Sequence, residues 1–499
     1  MPLDLQQAAG TRGRFAPYVL GTALLALAAV AAAFCLYALI ADEPAAGFVI
    51  TIFAAGVPGV ALRLLGRAAA EPTRREAIAG VLLTWSLVPI IGAIPFIFAI
   101  DFGVINALFE SMSGFTTTGA TVITDFGAVP DTIFLWRAVS QWIGGIGILV
   151  LFVAVFPQLA IAGRQMFFTE APGPNDERLT PRLRHTAAAV LAVYSGLTLI
   201  CGAAYLLLGM TPFDAVVHAL ATVSAGGFSS HAAGFGYFAS PALEWVAVVF
   251  MFLAGVSLPL IYRTVSGRPL LPLRDSEFRA YTAILLLASA VLSLLLWPVA
   301  QADAVRQAAF HAVSIMTSTG FAAEDFAAWA PPMLAVLLVL MLVGGSAGSA
   351  SGGVKVVRWL IIAKNTVREI RRTLHPRAVL PVRVGNSIVP EDVLRAVAAF
   401  ITLYVGLFAV STVALVMFGA EFDVALTASL AAIGNVGPGF SSVGPMESYA
   451  GLHPVSRALL TFVMFAGRLE VVTVFVVLMP GWWRLPRRSP LSWWRQDRT

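Results

Sequence analysis

Charge is scarce in this 499-residue chain: Asp, Glu, Lys and Arg make up 12%, against roughly a quarter in soluble domains. With 59% hydrophobic residues and a mean hydropathy of +0.85, that shortage excludes an ordinary water-soluble protein. Cysteine is nearly absent. Cys35 and Cys201 both lie inside apolar stretches, so neither a disulfide framework nor a thiolate metal site can be built from them. Lysine is confined to Lys355 and Lys364, and arginine supplies the rest of the positive charge. The net charge of +5 is scattered through short connections rather than gathered into a basic domain, which argues against a nucleic-acid partner and fits a topology signal. No nucleophile with a base, metal-ligand cluster or phosphate cradle occurs at a common depth, so the chain is not read as an enzyme.

Long apolar runs are what the chain does have. They recur from residue 18 almost to 479, each near the roughly 20 helical residues that cross the hydrocarbon core. The first, 18 to 40, follows Arg12 and Arg14 but is too long for a signal-peptide core, and further spans follow it. The fold class is therefore an all-α polytopic membrane protein, with the lipid bilayer as its solvent.

Four times a short apolar stretch runs into a small-residue turn and then into a longer hydrophobic helix. The turns are Thr117-Thr118-Gly119-Ala120-Thr121, Ala225-Gly226-Gly227-Phe228-Ser229, Ser318-Thr319-Gly320-Phe321-Ala322 and Asn435-Val436-Gly437-Pro438-Gly439, at intervals of about 100 residues. Each preceding half-span, such as 106 to 116, is about ten residues long and reaches roughly 15 Å at helical rise, near the bilayer midplane. Irregular backbone at that depth is tolerated only where it is buried in protein or lines a watery cavity. Four such units predict pseudo-fourfold symmetry around one pore. Outer helices are expected near 77–100, 184–208, 277–299 and 391–418, and second helices starting near 131, 240, 331 and 453. The division is 1–70, an N-terminal helix pair; 71–163, unit one; 164–266, unit two; 267–383, unit three; and 384–499, unit four with its tail. In unit two either Gly226 or Gly227 could be the register glycine. Glu110, His218 and His311 each stand nine residues before Gly119, Gly227 and Gly320, which favours Gly227; unit four has Ala428 there.

The ligands common to all four turns are main-chain carbonyls, which around one axis can replace the water shell of a cation. The candidate ligating residues are Thr117, Thr118 and Gly119; Ala225, Gly226 and Gly227; Ser318, Thr319 and Gly320; and Asn435, Val436 and Gly437. Glycine at the centre admits backbone conformations that a side chain penalises. The hydroxyls of Thr117, Thr118, Ser318 and Thr319 can stand beside those oxygens. Asn106, Asp214 and Asp423 suit amino-terminal caps of the half-helices. Unit three carries a run of Gly, Ala and Ser at 344–353 with poor helix propensity; Gly344, Gly345, Gly348, Gly352 and Gly353 in it read either as a loop within the membrane that blocks the pore, the reading the family resemblance given below favours, or as a small-residue helix-packing face. Gly467-Arg468-Leu469-Glu470 puts charge inside a second helix read as running from 453 to 479. Arg468 is either a positive barrier in the pathway or part of a buried pair with Glu470 or a neighbouring helix. Lys355 belongs with the gate or snorkels to the cytoplasmic face.

Arginines cluster in the connections between units: Arg63, Arg67, Arg74 and Arg75; Arg164, Arg178, Arg182 and Arg184; Arg263, Arg268, Arg274 and Arg279; and the longest run from Arg358 to Arg383. These connections and both termini are expected in the cytoplasm. The opposite side carries Asp101, Asp125, Asp131, Asp214, Asp303, Glu324, Asp325, Glu421, Asp423 and Glu447, an acidic vestibule that concentrates cations.

Over nearly its whole length the chain resembles the TrkH/KtrB/HKT superfamily of potassium transporters, and within it the bacterial TrkH type. The resemblance rests on Phe109-Glu110-Ser111-Met112-Ser113-Gly114-Phe115-Thr116-Thr117-Thr118-Gly119, Gln141-Trp142-Ile143-Gly144-Gly145, Gly226-Gly227-Phe228-Ser229, Thr319-Gly320-Phe321, the break before Lys355, Gly434-Asn435-Val436-Gly437-Pro438-Gly439 and Gly467-Arg468-Leu469-Glu470. It implies potassium uptake across the bacterial inner membrane, with K+ as the ion held at the filter residues and no cofactor. It also implies a homodimer with one pore per protomer, and a cytosolic TrkA-type nucleotide-binding ring acting on the loop at 344–353. Glycine in all four turns resembles the potassium-selective members. Ala225, Ser346 and Ala350 depart from the residues usual in the family. The alternative is a secondary transporter coupling K+ to H+ or Na+, whose proton relay would have to draw on Glu110, His218, His311 or the Arg468 and Glu470 pair.

Overall fold

The structure, a computed structural model, describes residues 15–66, 73–154, 179–385 and 387–483. Arg12, Arg14, Arg67, Arg164 and Arg178 lie outside them. Among the described residues seven helices are long and apolar enough to cross a membrane, or up to nine if each of two bent pairs is one span.

Phe15–Ile40 and Ala46–Leu65 form a helical hairpin at the N-terminus. Small residues let the two backbones approach: a Cβ on Gly21 would stand 2.8 Å from the Gly59 carbonyl oxygen. The hairpin docks on unit one through aromatic packing. Trp136, 1% exposed, meets Phe34 and Phe48 edge-on at centroid distances of 5.1 and 5.5 Å, and its indole Nε1 donates to the Gly92 carbonyl at 3.1 Å. In the hairpin connection Glu43 accepts from the backbone N–H groups of Asp131 and Thr132 at 3.0 and 2.9 Å. A carboxylate there complements the positive end of the Asp131–Ala154 helix.

Each unit has an outer helix, a half-helix and a second helix. The outer helices are Arg74–Gly92, continued by the short Ile94–Ala99, then Leu179–Leu207, Ser276–Ala300 and Glu391–Met417. Leu286, Leu287 and Leu294 on the third are largely exposed, as a surface that meets lipid rather than water allows. The half-helices are Val104–Phe115, Pro212–Val223, Ala304–Met316 and Phe422–Gly434, 12 or 13 residues each.

The second helices correct the sequence reading. Among the described residues that of unit one, Asp131–Ala154, is a single helix. In unit two, Pro241–Gly255 and Leu258–Val265 meet at 103°, and in unit four Pro454–Arg468 and Val471–Leu478 meet at 110°, so no single helix spans 453–479. Unit three breaks at Gly344, and helix resumes as Val356–Leu374. The breaks in units two and four face the irregular segment of unit three and bond to it, which offsets the helical hydrogen bonds they forgo.

The expected caps also differ. Asn106 lies inside its helix and Gly103 precedes it. Thr211 caps the second half-helix, its hydroxyl accepting from Asp214 N–H at 3.1 Å, while the Asp214 carboxylate accepts from Thr211 and Ser230 at 2.8 and 2.6 Å. Glu421 holds the cap position of the fourth, and the Asp423 carboxylate accepts from the Ser441 hydroxyl.

A small separate core joins Ile361, Val382, Val384, Val389, Val393, Leu394 and Val397. It seats a two-stranded ribbon, Arg383–Val384 with Ser387–Ile388, against the helix that leaves the break.

Replacing Trp136 with Ala should cost about 3–5 kcal/mol, as for other buried aromatic truncations. Thermal unfolding in detergent should shift down accordingly, with Trp136→Phe in between; equal midpoints for all three proteins would show that the hairpin does not depend on this packing.

Candidate functional site

The four turns are built alike from unlike residues. Each half-helix ends in a residue of left-handed conformation: Thr117 at φ 52°, Ala225 at 53°, Ser318 at 56° and Asn435 at 52°. In turn one, Thr117 N–H bonds to Gly114 O at 2.9 Å and Thr118 N–H to Ser113 O at 2.8 Å. Equivalent pairs recur at Ala225 and Gly226, Ser318 and Thr319, and Asn435 and Val436. This is a Schellman cap, which satisfies the last helical carbonyls and turns the chain back on itself. Two residues later comes a second positive φ, at Gly119 (83°), Gly227 (75°), Gly320 (77°) and Gly437 (100°). Gly227 therefore occupies the register position, and Gly226 precedes it. A non-glycine residue held left-handed costs about 1–2 kcal/mol, and each turn carries one. No sequence signal marks that position, because Thr, Ala, Ser and Asn occupy it.

The turns close a cycle. A Cβ on Gly119 would strike the Gly226 carbonyl, one on Gly227 the Thr319 carbonyl, one on Gly320 the Val436 carbonyl, and one on Gly437 the Thr118 carbonyl. All four glycines line a single cavity of about 210 Å³. Thr117, Thr118, Ala225, Ser318, Thr319, Asn435 and Val436 lie buried behind them. Twelve main-chain carbonyls belong to the three positions ending at each glycine. Among the described residues only two accept a protein hydrogen bond: Gly226 O from Gln141 Nε2 at 2.5 Å, and Gly437 O from the Tyr449 hydroxyl at 2.7 Å. Buried carbonyls are rarely left so.

The hydroxyls mostly stand behind the backbone. Thr118 Oγ1 pairs with Thr116 Oγ1 at 2.7 Å and receives Asn435 Nδ2 at 3.0 Å; Thr319 Oγ1 pairs with Thr317 Oγ1 at 2.8 Å. Thr116, Thr317, Gln141 and Tyr449 are supporting residues that the sequence reading passed over.

Of Glu110, His218 and His311, the first two brace the chain after its glycine, and the third packs against Phe326 and Trp329. Glu110 accepts from Val122 N–H at 2.9 Å and from Arg137 Nε at 2.8 Å, and Arg137 Nη1 donates to Ser229 O at 3.0 Å. His218 meets Asp214 O at 2.8 Å and Ser229 Oγ at 3.0 Å. His311 Nδ1 meets Gln307 O at 2.8 Å in its own helix. In unit four Thr427, next to Ala428, accepts from Phe440 N–H at 3.0 Å. Of the expected vestibular acids, Glu447 lines the cavity beside Arg137 and His231. Asp303 and Glu244 pair with Arg306, and Gln307 donates to Glu324.

The irregular segment of unit three lies against the half-helix side of the ring. Gly352 N–H donates to Ser318 Oγ at 2.6 Å, and a Cβ on Gly352 would meet the Gly434 carbonyl. Ser346 N–H and Ala350 N–H donate to Gly255 O and Ala254 O at 2.9 and 3.2 Å, the freed carbonyls of the unit-two break. Arg468 Nη1 donates to Ala350 O at 3.0 Å. Lys355 does not snorkel: it is 5% exposed, and Nζ donates to Ser351 O at 2.6 Å. Glu470 pairs with Arg358, on the Val356–Leu374 helix that leaves the unit-three break, and not with Arg468.

Residues 45–481 match the family model described as TrkH, cation transport protein. The chain belongs to the TrkH family. It is 37% identical over 422 residues to the Trk system potassium uptake protein TrkH of Salmonella typhimurium, covering 83% of this chain and 87% of that protein. It is 39% identical over 425 residues to TrkH of Vibrio parahaemolyticus, with the same coverage. The crystal structure of the potassium transporter TrkH from Vibrio parahaemolyticus superposes with a TM-score of 0.86 at 36% identity, covering 94% of this chain and 99% of that one. The protein is a multi-pass membrane transporter, not an enzyme.

Gly320→Ala adds a side chain at positive φ against the Val436 carbonyl, and should lower cation uptake about tenfold or more at equal membrane abundance. Gly196→Ala, whose Cβ meets nothing within 4 Å, is the matched control. Equal uptake by both variants would show that the ring tolerates the added atom.

Proposed function

We propose that this chain carries potassium into the bacterial cell across the inner membrane through one pore, and that the four glycine turns are its selectivity filter. The reading rests on one observation: four equivalent turns closed into a cycle, with ten of their twelve carbonyls accepting no protein hydrogen bond among the described residues. An unpaired ring of oxygens suits a dehydrated monovalent cation, which supplies what the missing donors do not. K+ is the proposed cargo, held by the carbonyls of Thr117 to Gly119, Ala225 to Gly227, Ser318 to Gly320 and Asn435 to Gly437. The names of the similar proteins, potassium uptake proteins of Trk systems, agree.

The segment 344–353 is the proposed gate. Its amide at Gly352 engages the filter residue Ser318, and Arg468 and Lys355 hold its carbonyls. Their charges beside the pathway would also oppose cation entry while the segment stays in place. The arginine-rich connections and both termini are assigned to the cytoplasm by the positive-inside rule. There a TrkA-type nucleotide-binding ring would dock and draw the segment aside through the Val356–Leu374 helix. The protein would work as a homodimer of two such pores, each made of units 71–163, 164–266, 267–383 and 384–499. Flux is proposed to be passive, because both ring nitrogens of His218 and both carboxylate oxygens of Glu110 are engaged in bracing the turns.

Rubidium uptake in cells lacking their own potassium systems should be blocked by K+ and spared by Na+; equal block by both would overturn the filter assignment. Deleting 344–353 should raise flux several-fold, and unchanged flux with normal membrane abundance would remove the gate. In liposomes the reversal potential should track potassium alone, whereas movement with pH or sodium would point to coupling.

A further inference from the structure

Gln141 lies fully buried in the Asp131–Ala154 helix of unit one, but its carboxamide serves the turn of unit two. Nε2 donates to Gly226 O at 2.5 Å and Oε1 accepts from Phe228 N–H at 3.2 Å. The two bonds clasp the peptide groups on both sides of Gly227. Only this orientation of the amide works, since the flipped one would set oxygen against oxygen. One helical turn earlier, Arg137 donates to Ser229 O at 3.0 Å and lies 3.9 Å above the Phe228 ring. The same helix passes so close to the first half-helix that a Cβ on Gly144 would meet the Phe115 carbonyl. One rigid rod therefore sets the spacing of two neighbouring turns. In turns one, three and four the corresponding carbonyls of Thr118, Thr319 and Val436 accept no protein hydrogen bond among the described residues.

We infer that Gln141 is a specificity-determining positioning residue, fixing the Gly226 carbonyl at the radius that suits a potassium-sized ion. A carbonyl oxygen has two lone pairs, so the bond from Nε2 leaves one for the ion. A smaller cation such as Na+ would be well ligated only if the ring contracted. Gln141 resists that contraction from turn two, whose glycine is clasped by one carboxamide on both sides, while turns one, three and four are braced by Glu110, Asn435 and hydroxyls. The inference rests on the filter reading above.

The experiment is rubidium uptake by the full chain in cells lacking their own potassium systems, with K+ or Na+ as competitor, normalised to protein in the membrane. Gln141→Met keeps the length of the side chain and removes both bonds. Losing two buried hydrogen bonds should bring the Na+ concentration that halves uptake down about tenfold, with K+ competition changing far less. A role limited to folding would reduce the amount of protein and leave both competition curves in place, and that result would overturn the inference. Gln141→Glu retains the acceptor for Phe228 N–H but sets a carboxylate oxygen against Gly226 O. It should shift the Na+ curve in the same direction, and it decides the matter if the Met variant does not reach the membrane. Failure of the filter reading would look different: the unsubstituted protein would itself be blocked equally by Na+ and K+.

Discussion

The constraint on which the structure turns is the ring of main-chain carbonyls at the four turns, ten of whose twelve accept no protein hydrogen bond among the described residues. Backbone oxygens in a membrane interior are normally consumed by helix, because an unpaired one is expensive there. Here four half-helices stop short and cap themselves with a left-handed residue, and the glycines that follow line one cavity. Each glycine is obligatory for the same reason in every unit: its α-carbon abuts the next turn's carbonyl, and a Cβ would occupy that space.

The symmetry belongs to the backbone, not to the side chains that maintain it. The chain leaving each turn is held by Glu110 with Arg137 in unit one and by His218 in unit two. In unit three the Ser314 hydroxyl donates to Phe321 O at 2.6 Å, and in unit four Thr427 receives Phe440 N–H. Such divergence suits repeats whose geometry is constrained while the means of bracing it are free. The second helices depart from the symmetry. Units two, three and four break their second helices, and the breaks of units two and four each bond to the irregular segment of unit three; the helix of unit one instead supplies Gln141 and Arg137 to its neighbour.

Much of this was legible in the sequence because hydropathy and glycine spacing are backbone properties. The hairpin, the outer helices and the half-helices fall within a few residues of their expected places, and the four glycines converge on one cavity. The helix breaks at Val256 and Leu469 went unread although Gly255 and Pro259 flank the first and Arg468 and Glu470 the second, because what offsets the lost helical bonds is the facing segment of unit three, far away in sequence. Partner choice was hidden too. Glu470 looked like a partner for Arg468 two residues away, but the bend between them turns it to Arg358, whose guanidinium also lies 3.9 Å over the Phe400 ring. Gln141 and Tyr449 were invisible as supports because their targets lie 85 and 12 residues away as carbonyl oxygens, which carry no sequence mark.

The account turns on where the ion binds. Crystals grown in rubidium salt and measured at the rubidium absorption edge would test it most directly. Anomalous peaks on the axis, encircled by the carbonyls of Thr118, Gly226, Thr319 and Val436, are the predicted result. Rubidium sites elsewhere in the membrane region, with no density inside that ring, would contradict it.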